Sequence, residues 1–473
     1  MNRYKKLAAN TAVFAIGTFG SKILMFFLTR LYTANMDTAM FGTKELIENT
    51  ANFIIPICTF CMADAVLRYG LDRNHDKREI FTSACVVELF GLGAAIVLSP
   101  VLQLIPFVKG YTPYLVVYIC TSSFRALCSN FVRAKGYVRL FAADGIITTL
   151  TLFIYNIIFI SVLGWGLKGF LISVILSDFC SGVFLWAIAG LGKYFDMRSL
   201  NPDIVRLMIR YSLPLIPTAL MWIITGFSDR IFVRYMDGPA GLTGEAASGL
   251  YAASSKIPNL VNMVSTIFFQ AWNMSAITEH DSKGRSRFYQ RVFSAYQSIM
   301  FIAAAFLILL VQPLSAMLLH YDTDPEYINA YKYTPVLVLA VLMMCFNQFL
   351  SSIYNASQHT KNSFWTSFIS TMLNIILNII LIKKYGIMGA VIATFVSYAV
   401  CYIIRISDAR RYVYFKVSHM KLIFNMAVLF FMCHIAVSRP SFYLFYLTAI
   451  TILIMAANFN AILATFKKVL SRK

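Results

Sequence analysis

Fourteen apolar stretches, each of roughly twenty residues or more, follow one another through the chain, at 8–33, 43–67, 80–105, 113–132, 140–163, 168–191, 209–236, 249–278, 291–319, 333–357, 362–382, 386–406, 418–438 and 441–464. The hydrocarbon core of a bilayer takes about 20 mainly apolar residues per helix. This pattern predicts an all-α polytopic membrane protein with about 14 transmembrane helices. The longest connection, between the sixth and seventh spans, is about 18 residues, so no loop houses a soluble domain. Composition agrees: 59% of the 473 residues are hydrophobic and 13% charged, against about 25% charged in soluble proteins. A water-soluble enzyme and a disordered chain are both excluded.

Charge placement sets the expected topology. The net charge is +20, yet no basic run with interleaved aromatics lies outside the apolar stretches, so nucleic-acid binding is set aside. Lys and Arg gather in LDRNHDKRE (71–79), GKYFDMRSLNPDIVRLMIR (192–210), KGRSRFYQR (283–291) and RISDARRYVYFK (405–416), on alternate connections. The others, such as MDGPAGLTGE and YDTDPEY, are acidic or nearly neutral, and only Lys383 and Lys384 run against the pattern. By the positive-inside rule both termini lie in the cytoplasm. The opening MNRYKK followed by LAANTAVFAIGTFGSKILMFFLTRLYT is read as a retained first span rather than a cleaved signal, because no A-x-A site follows.

Nine cysteines all fall in apolar stretches, which argues against a disulfide framework. Cys58 and Cys61 form a C-x-x-C without a second pair, read as mid-helix packing. No Walker loop, nucleophile elbow or HExxH is present, and His434 reads as a packed or pore-facing residue. The chain is expected to be a carrier and not an enzyme, with no cofactor and with its energy from an ion gradient, Na⁺ or H⁺, or from a substrate gradient.

The chain repeats itself. Gly166-Leu-Lys-Gly169 before FLISVILS matches Gly386-Ile-Met-Gly389 before AVIATFVS at an offset of 220, and Asn156 echoes Asn378. FVRAKG (131–136) aligns with IYNASQ (353–358), and Phe41-Gly42 with Ser248-Gly249. Two six-helix bundles are expected, at 1–200 and 201–415, around a central cavity. Residues 416–473 would add two further helices and a cytoplasmic tail. A parallel repeat places its substrate site between the halves.

Polar residues within membrane spans face a cavity or a neighbouring helix. On the eighth span Ser255, Asn259, Asn262, Thr266, Gln270 and Asn273 recur every three or four residues and line one face. The second span offers Glu45, Glu48, Asn49 and Asn52, and the eleventh Ser367, Ser370, Thr371, Asn374 and Asn378. Helix–helix hydrogen bonding accounts for any one stripe. Three at corresponding places favour a hydrated cavity, with Glu48, Asn52, Ser255, Asn259, Asn262, Thr266 and Gln270 as its candidate lining. Arg30, Arg68, Arg133 and Arg234 lie near span ends and can snorkel. Lys22, Arg125, Arg230 and Lys256 are deeper, with Glu45, Glu48 and Asp229 available as partners. A basic cavity suits an anionic, phosphate-bearing substrate.

NTAVFAIGTFGSKILMFFLTRLYT and FGTKELIENTANFIIPICTFCMADAVLRYGLDR resemble the opening of bacterial oligosaccharide-lipid flippases. These are the polysaccharide transporter branch of the multidrug/oligosaccharidyl-lipid/polysaccharide flippase superfamily. YSLPLIP and SDRIFV resemble that family's seventh helix. LYAASSKIPNLVNMVSTIFFQAWNMSAI resembles its eighth, with K-I-P and F-x-x-A-W elements. The resemblance covers roughly residues 5–415. It implies alternating-access transfer of an undecaprenyl-pyrophosphate-linked oligosaccharide from inner to outer leaflet of the bacterial cytoplasmic membrane, for capsule, exopolysaccharide or O-antigen synthesis. It implies a monomer working with the polymerase and chain-length proteins of the same pathway. Lys22 stands where relatives carry a first-helix Arg and Lys256 is the eighth-helix counterpart, while the relatives' second-helix Arg has no match here. The resemblance also implies a cation site at Asp229, Asn374, Asn378 and Thr394, with Asn378 where relatives have a carboxylate. Spans thirteen and fourteen match a pair that forms a lipid-tail groove in peptidoglycan-precursor flippases. The alternatives are a multidrug or toxin cation antiporter of the same fold, a lipid II flippase, and an integral-membrane polymerase or glycosyltransferase. The last lacks the external loops such enzymes use.

Overall fold

The computed structural model describes residues 24, 27–72, 75–239, 243–278, 284–357 and 360–470. Every regular element among them is helical. Ten helices are long and apolar enough to cross a membrane, eleven if one bent pair is a single span, and Tyr443–Phe459 is a shorter apolar segment. The protein is thus an all-α, multi-pass membrane protein. The expected spans fall on helices, except that the first lies mostly outside the described residues, and the second, eighth and ninth are each divided between two.

The described chain forms two compact units, one within Gly20–Phe227 and one from Ser228 onward. In the first, α1 (Thr38–Cys58), α2 (Met62–Gly70), α3 (Lys77–Leu102), α4 (Thr112–Ala134), α5 (Val138–Asn156), α6 (Gly166–Ile188) and α7 (Pro202–Ser212) succeed one another. Asp37 and Asp76 cap α1 and α3 by accepting from Met40 N at 2.7 Å and Arg78 N at 2.9 Å. Met62, Phe81, Phe131 and Leu185 are buried together at the core, with the Phe81 and Phe131 rings 4.4 Å apart. The division between units falls inside α8 (Leu215–Tyr235), so residues 201–227 pack with the first unit.

The second unit holds α9 (Gly244–Ser254), α10 (Pro258–Thr278), α11 (Arg285–Leu309), α12 (Val311–Leu318), α13 (Ala330–Ala356), α14 (Thr360–Tyr385), α15 (Ile387–Ala409), α16 (His419–Ser438) and α17 (Tyr443–Leu470). Trp272, from the F-x-x-A-W element, is fully buried here. It stacks on Phe349 at 4.6 Å and donates its indole N–H to Ser352 Oγ at 2.7 Å. That element therefore builds the core. Residues 416–470 also pack in this unit, where Asn458 Nδ2 donates to Asn425 Oδ1 at 2.7 Å and joins α17 to α16.

The C-x-x-C expectation is corrected: a break separates the two cysteines, and α1 and α2 meet at 55°. Phe60 and Cys61 both have φ of +51°. Phe60 N bonds Ile57 O at 3.4 Å and Cys61 N bonds Pro56 O at 3.3 Å, a Schellman ending without its usual glycine. Across the break, a Cβ on Gly91 would stand 1.8 Å from Cys58 O, so only glycine lets α3 approach this closely.

The two G-x-x-G elements share a local geometry, each within its own unit. Gly166 and Gly386 turn the chain at φ of +51° and +57°. Three residues on, a Cβ at Gly169 would lie 2.7 Å from Phe159 O, and one at Gly389 2.3 Å from Leu381 O. Both G-x-x-G elements thus set a helix directly against the backbone before it.

Candidate functional site

Asp229, on α8, is 1% exposed, and a carboxylate buried so deeply needs donors around it. Its Oδ1 accepts from Asn374 Nδ2 at 3.0 Å and Asn378 Nδ2 at 2.6 Å. Its Oδ2 accepts from Thr394 Oγ1 at 2.6 Å and Tyr251 Oη at 2.7 Å. Asn374 and Asn378, four apart on α14, share one helix face, and Asn378 Nδ2 also reaches Asn374 Oδ1 at 3.2 Å. Asn378 Oδ1 is buried without a hydrogen-bond partner. The structure thus brings together the four residues named for a cation site and adds Tyr251. Each of these side chains carries an oxygen, the donor type that suits a hard cation. No cluster of three His, Cys, Asp or Glu that could hold a metal ion occurs among the described residues. Tyr251 sits in the LYAASSKIP segment, but no spacing rule marks it in the sequence.

Lys256 lies at a discontinuity. The eighth span divides into α9 and α10 around Ser255-Lys256-Ile257, because Pro258 has no N–H to offer the Ser254 carbonyl. Thr334 Oγ1 supplies the missing donor at 3.1 Å. Lys256 N bonds Ala253 O at 3.1 Å, and the lysine side chain is half-buried. Beyond the break Ser265 faces the core, meeting Tyr296 Oη at 2.6 Å. Ser255, Asn262 and Thr266 are half-buried, with Asn262 Oδ1 buried, and Asn259 is exposed. Lys22 and the side chain of Gln270 lie outside the described residues.

The remaining candidates sit apart. Arg125 bridges two carboxylates of the first unit, Nη2 to Asp144 at 3.2 Å and Nη1 to Asp178 at 3.3 Å, tying α4 to α5 and α6. Asp144 also accepts from Ser129 Oγ at 3.0 Å and from Ser181, and Asp178 from Ser122. Glu48 pairs with buried Lys44 at 2.6 Å, and Glu45 with the same Lys44 at 2.9 Å. The Lys44 ammonium also stands 4.4 Å from the Phe170 ring centre. Asn52 is exposed, and Arg230 is half-buried beside Asp229 in sequence.

Besides Asp144 and Asp178, two buried ionisable groups escaped the sequence reading. Arg405, read as part of a basic loop, is fully buried. It donates to Thr366 Oγ1 at 2.9 Å, Asn347 O at 2.9 Å and Ser367 Oγ at 2.7 Å, pinning α13, α14 and α15 together. Glu88 on α3 is 4% exposed, with Oε2 buried and without a hydrogen-bond partner. It lines a cavity of about 290 Å³ whose other walls include Leu92, Phe124 and Trp186. Its place in an apolar run was the available signal.

No family model matches the chain. Two uncharacterized membrane proteins of Methanocaldococcus jannaschii are similar in sequence. MJ1068 is 22% identical over 300 residues, 61% of this chain and 57% of that protein. MJ1375 is 27% identical over 259 residues, 51% and 58% respectively. The chain thus spans under two thirds of the length of the curated relatives it matches. Among solved structures, the inward-facing form of a multidrug resistance MATE family transporter of the MOP superfamily superposes with TM-score 0.69 at 14% identity, covering 87% of this chain and 99% of that one. Its outward-facing form gives 0.63 at 14%, covering 87% and 96%. A MOP superfamily transporter from Pyrococcus furiosus, whose reverse polarity of binding pocket suggests a different function, gives 0.62 at 13%, covering 87% and 97%. The fold is that of MOP superfamily transporters.

Proposed function

We propose that this protein is a carrier, not an enzyme, that moves a lipid-linked, pyrophosphate-bearing oligosaccharide across a bacterial cytoplasmic membrane by alternating access. The observation that carries this reading is Lys256 on the broken eighth span. Irregular backbone at membrane depth is tolerated where protein or a water-filled cavity covers it, and transporters commonly build substrate sites on such breaks. Here Thr334 satisfies the carbonyl that Pro258 frees, and the break bears a cation suited to a phosphate group. The neighbouring Asn259, Asn262 and Thr266 offer amides and a hydroxyl suited to sugars. Arg230, in the same unit, is assigned to the same anionic head group. Arg125, already matched by two carboxylates, is assigned a structural part.

The Asp229 cluster is the proposed coupling site, for Na⁺ or H⁺. Both termini are placed in the cytoplasm, with polymerase and chain-length proteins as partners in polysaccharide synthesis. The second reading, antiport of organic cations, is favoured by the multidrug transporters among the structural neighbours. Depletion of the protein, followed by mass spectrometry of undecaprenyl-linked oligosaccharides and a leaflet assay, separates the two. One repeat unit accumulating in the inner leaflet is expected. No accumulation, with altered drug retention instead, would move the assignment to antiport.

A further inference from the structure

At one end of the second unit, the connection between α12 and α13 and the turn between α16 and α17 enclose a cavity of about 340 Å³ lined by Gln312, Tyr321, Asn329, Tyr331, Lys332 and Arg439, among others. Its two connections follow the ninth and thirteenth spans, so they belong on the same side of the membrane, the external one in the charge-based topology.

Arg439 is built into this cavity against backbone preference. It ends α16 with φ of +51°, its N–H bonded to Ile435 O at 3.0 Å, at the position where helices favour glycine. Pro440 follows and prevents the helix from continuing. The guanidinium lies 3.7 Å over the Tyr331 ring. With the Gln312 amide turned to satisfy its neighbours, its oxygen accepts Nε and Nη2 of Arg439 at 2.7 Å each, and its nitrogen donates to Tyr443 Oη at 3.1 Å. The guanidinium is thereby held on a ring and an amide. Among the described residues no carboxylate pairs with Arg439 or with the exposed Lys332. Of the nearby acids, Glu326 accepts from Asn329 Nδ2 at 3.0 Å, Asp324 accepts from Glu326 N at 3.0 Å, and Asp322 lies 3.7 Å from His320 Nε2.

We infer that this cavity binds an anionic sugar, a single pyranose ring bearing a carboxylate. Two cations without acidic partners supply the charge recognition. Tyr321 adds an aromatic ring to the lining, and the Gln312 and Asn329 amides, each with one N–H beyond the bonds above, are donors for hydroxyls. The inference adds acidic sugars to the proposed substrate class. Its test measures binding without transport, so the two readings fail separately.

The experiment is calorimetric titration of the full chain in detergent with glucuronate, glucose and inorganic phosphate. Glucuronate is expected to bind at least about tenfold more tightly than either of the others, a difference readily resolved in Kd. Arg439→Gly is expected to abolish that preference while leaving the melting temperature equal or higher, because glycine adopts the positive φ freely. Lys332→Gln, on an exposed side chain, is expected to weaken glucuronate binding severalfold. Equal binding of glucose removes the charge reading, and equal binding of phosphate removes the sugar. No binding by any of the three, or undiminished glucuronate binding by Arg439→Gly, overturns the site.

Discussion

Asn378 donates its side-chain N–H to Asp229 at 2.6 Å, joining residues 149 positions apart. An amide here can face the carboxylate as a donor, where a second carboxylate would repel it. Among the described residues the hydrogen-bond partners of the buried acid are neutral, while Asn378 Oδ1 remains a buried acceptor.

Asn378→Asp converts this pair into two facing carboxylates. A loss of about 3 kcal/mol is expected in the absence of sodium, because a buried charge is left uncompensated. Sodium chloride should restore much of that loss where choline chloride does not, since a cation that binds only the folded state stabilises it. Thermal unfolding of the purified variant in the two salts checks this. A melting temperature indifferent to the cation would argue against a coupling site here.

Arg125→Ala and Lys256→Ala should fail differently. The first strands Asp144 and Asp178, at a cost of about 3 kcal/mol, so the amount of folded protein in the membrane should fall. The second removes a half-buried cation from a satisfied backbone break, so protein should remain while glycan export stops. Immunoblotting of membranes beside an export assay distinguishes them, and normal export by Lys256→Ala would remove the pyrophosphate role.

Thr334→Val deletes the donor to the Ser254 carbonyl and is expected to destabilise by about 1–2 kcal/mol. Pro258→Ala restores the N–H that the carbonyl lacks and should be neutral or stabilising, yet reduce transport by straightening the eighth span. Melting temperature and export measured together show whether the two move apart.

Glu88→Leu should raise stability by about 1–3 kcal/mol, because it removes a carboxylate with no hydrogen-bond partner from apolar surroundings. A fall in the melting temperature would mean that the carboxyl is held by an interaction outside this cavity.

Alanine at either G-x-x-G helix should destabilise, by about 1–3 kcal/mol as in other overpacked interiors. The effect should be larger for Gly389→Ala than for Gly169→Ala, since the added carbon meets a carbonyl at 2.3 Å rather than 2.7 Å. Equal melting temperatures for the two variants would contradict the tighter approach in the second unit.

Much of this was legible in the chain itself. Spans are a local property: twenty apolar residues in a row suit a bilayer wherever they occur. The G-x-x-G match was legible because Gly166/Gly169 and Gly386/Gly389 meet the same backbone demand twice. Asn374 and Asn378 share a face because four residues make about one helical turn. The tertiary structure decided what each polar group does. Arg125 and Lys256 look alike in an apolar run, yet one meets two carboxylates from other helices and the other stands at a break. Arg405 reads as part of a basic loop, but acceptors up to 58 residues away make it a buried pin. Hydropathy depends on neighbours in sequence, whereas the burial and pairing of a charge depend on neighbours in space. The same distinction divides the C-x-x-C: its sequence is continuous with a helix, and only the approach of Gly91 and the turn at Phe60 and Cys61 break it.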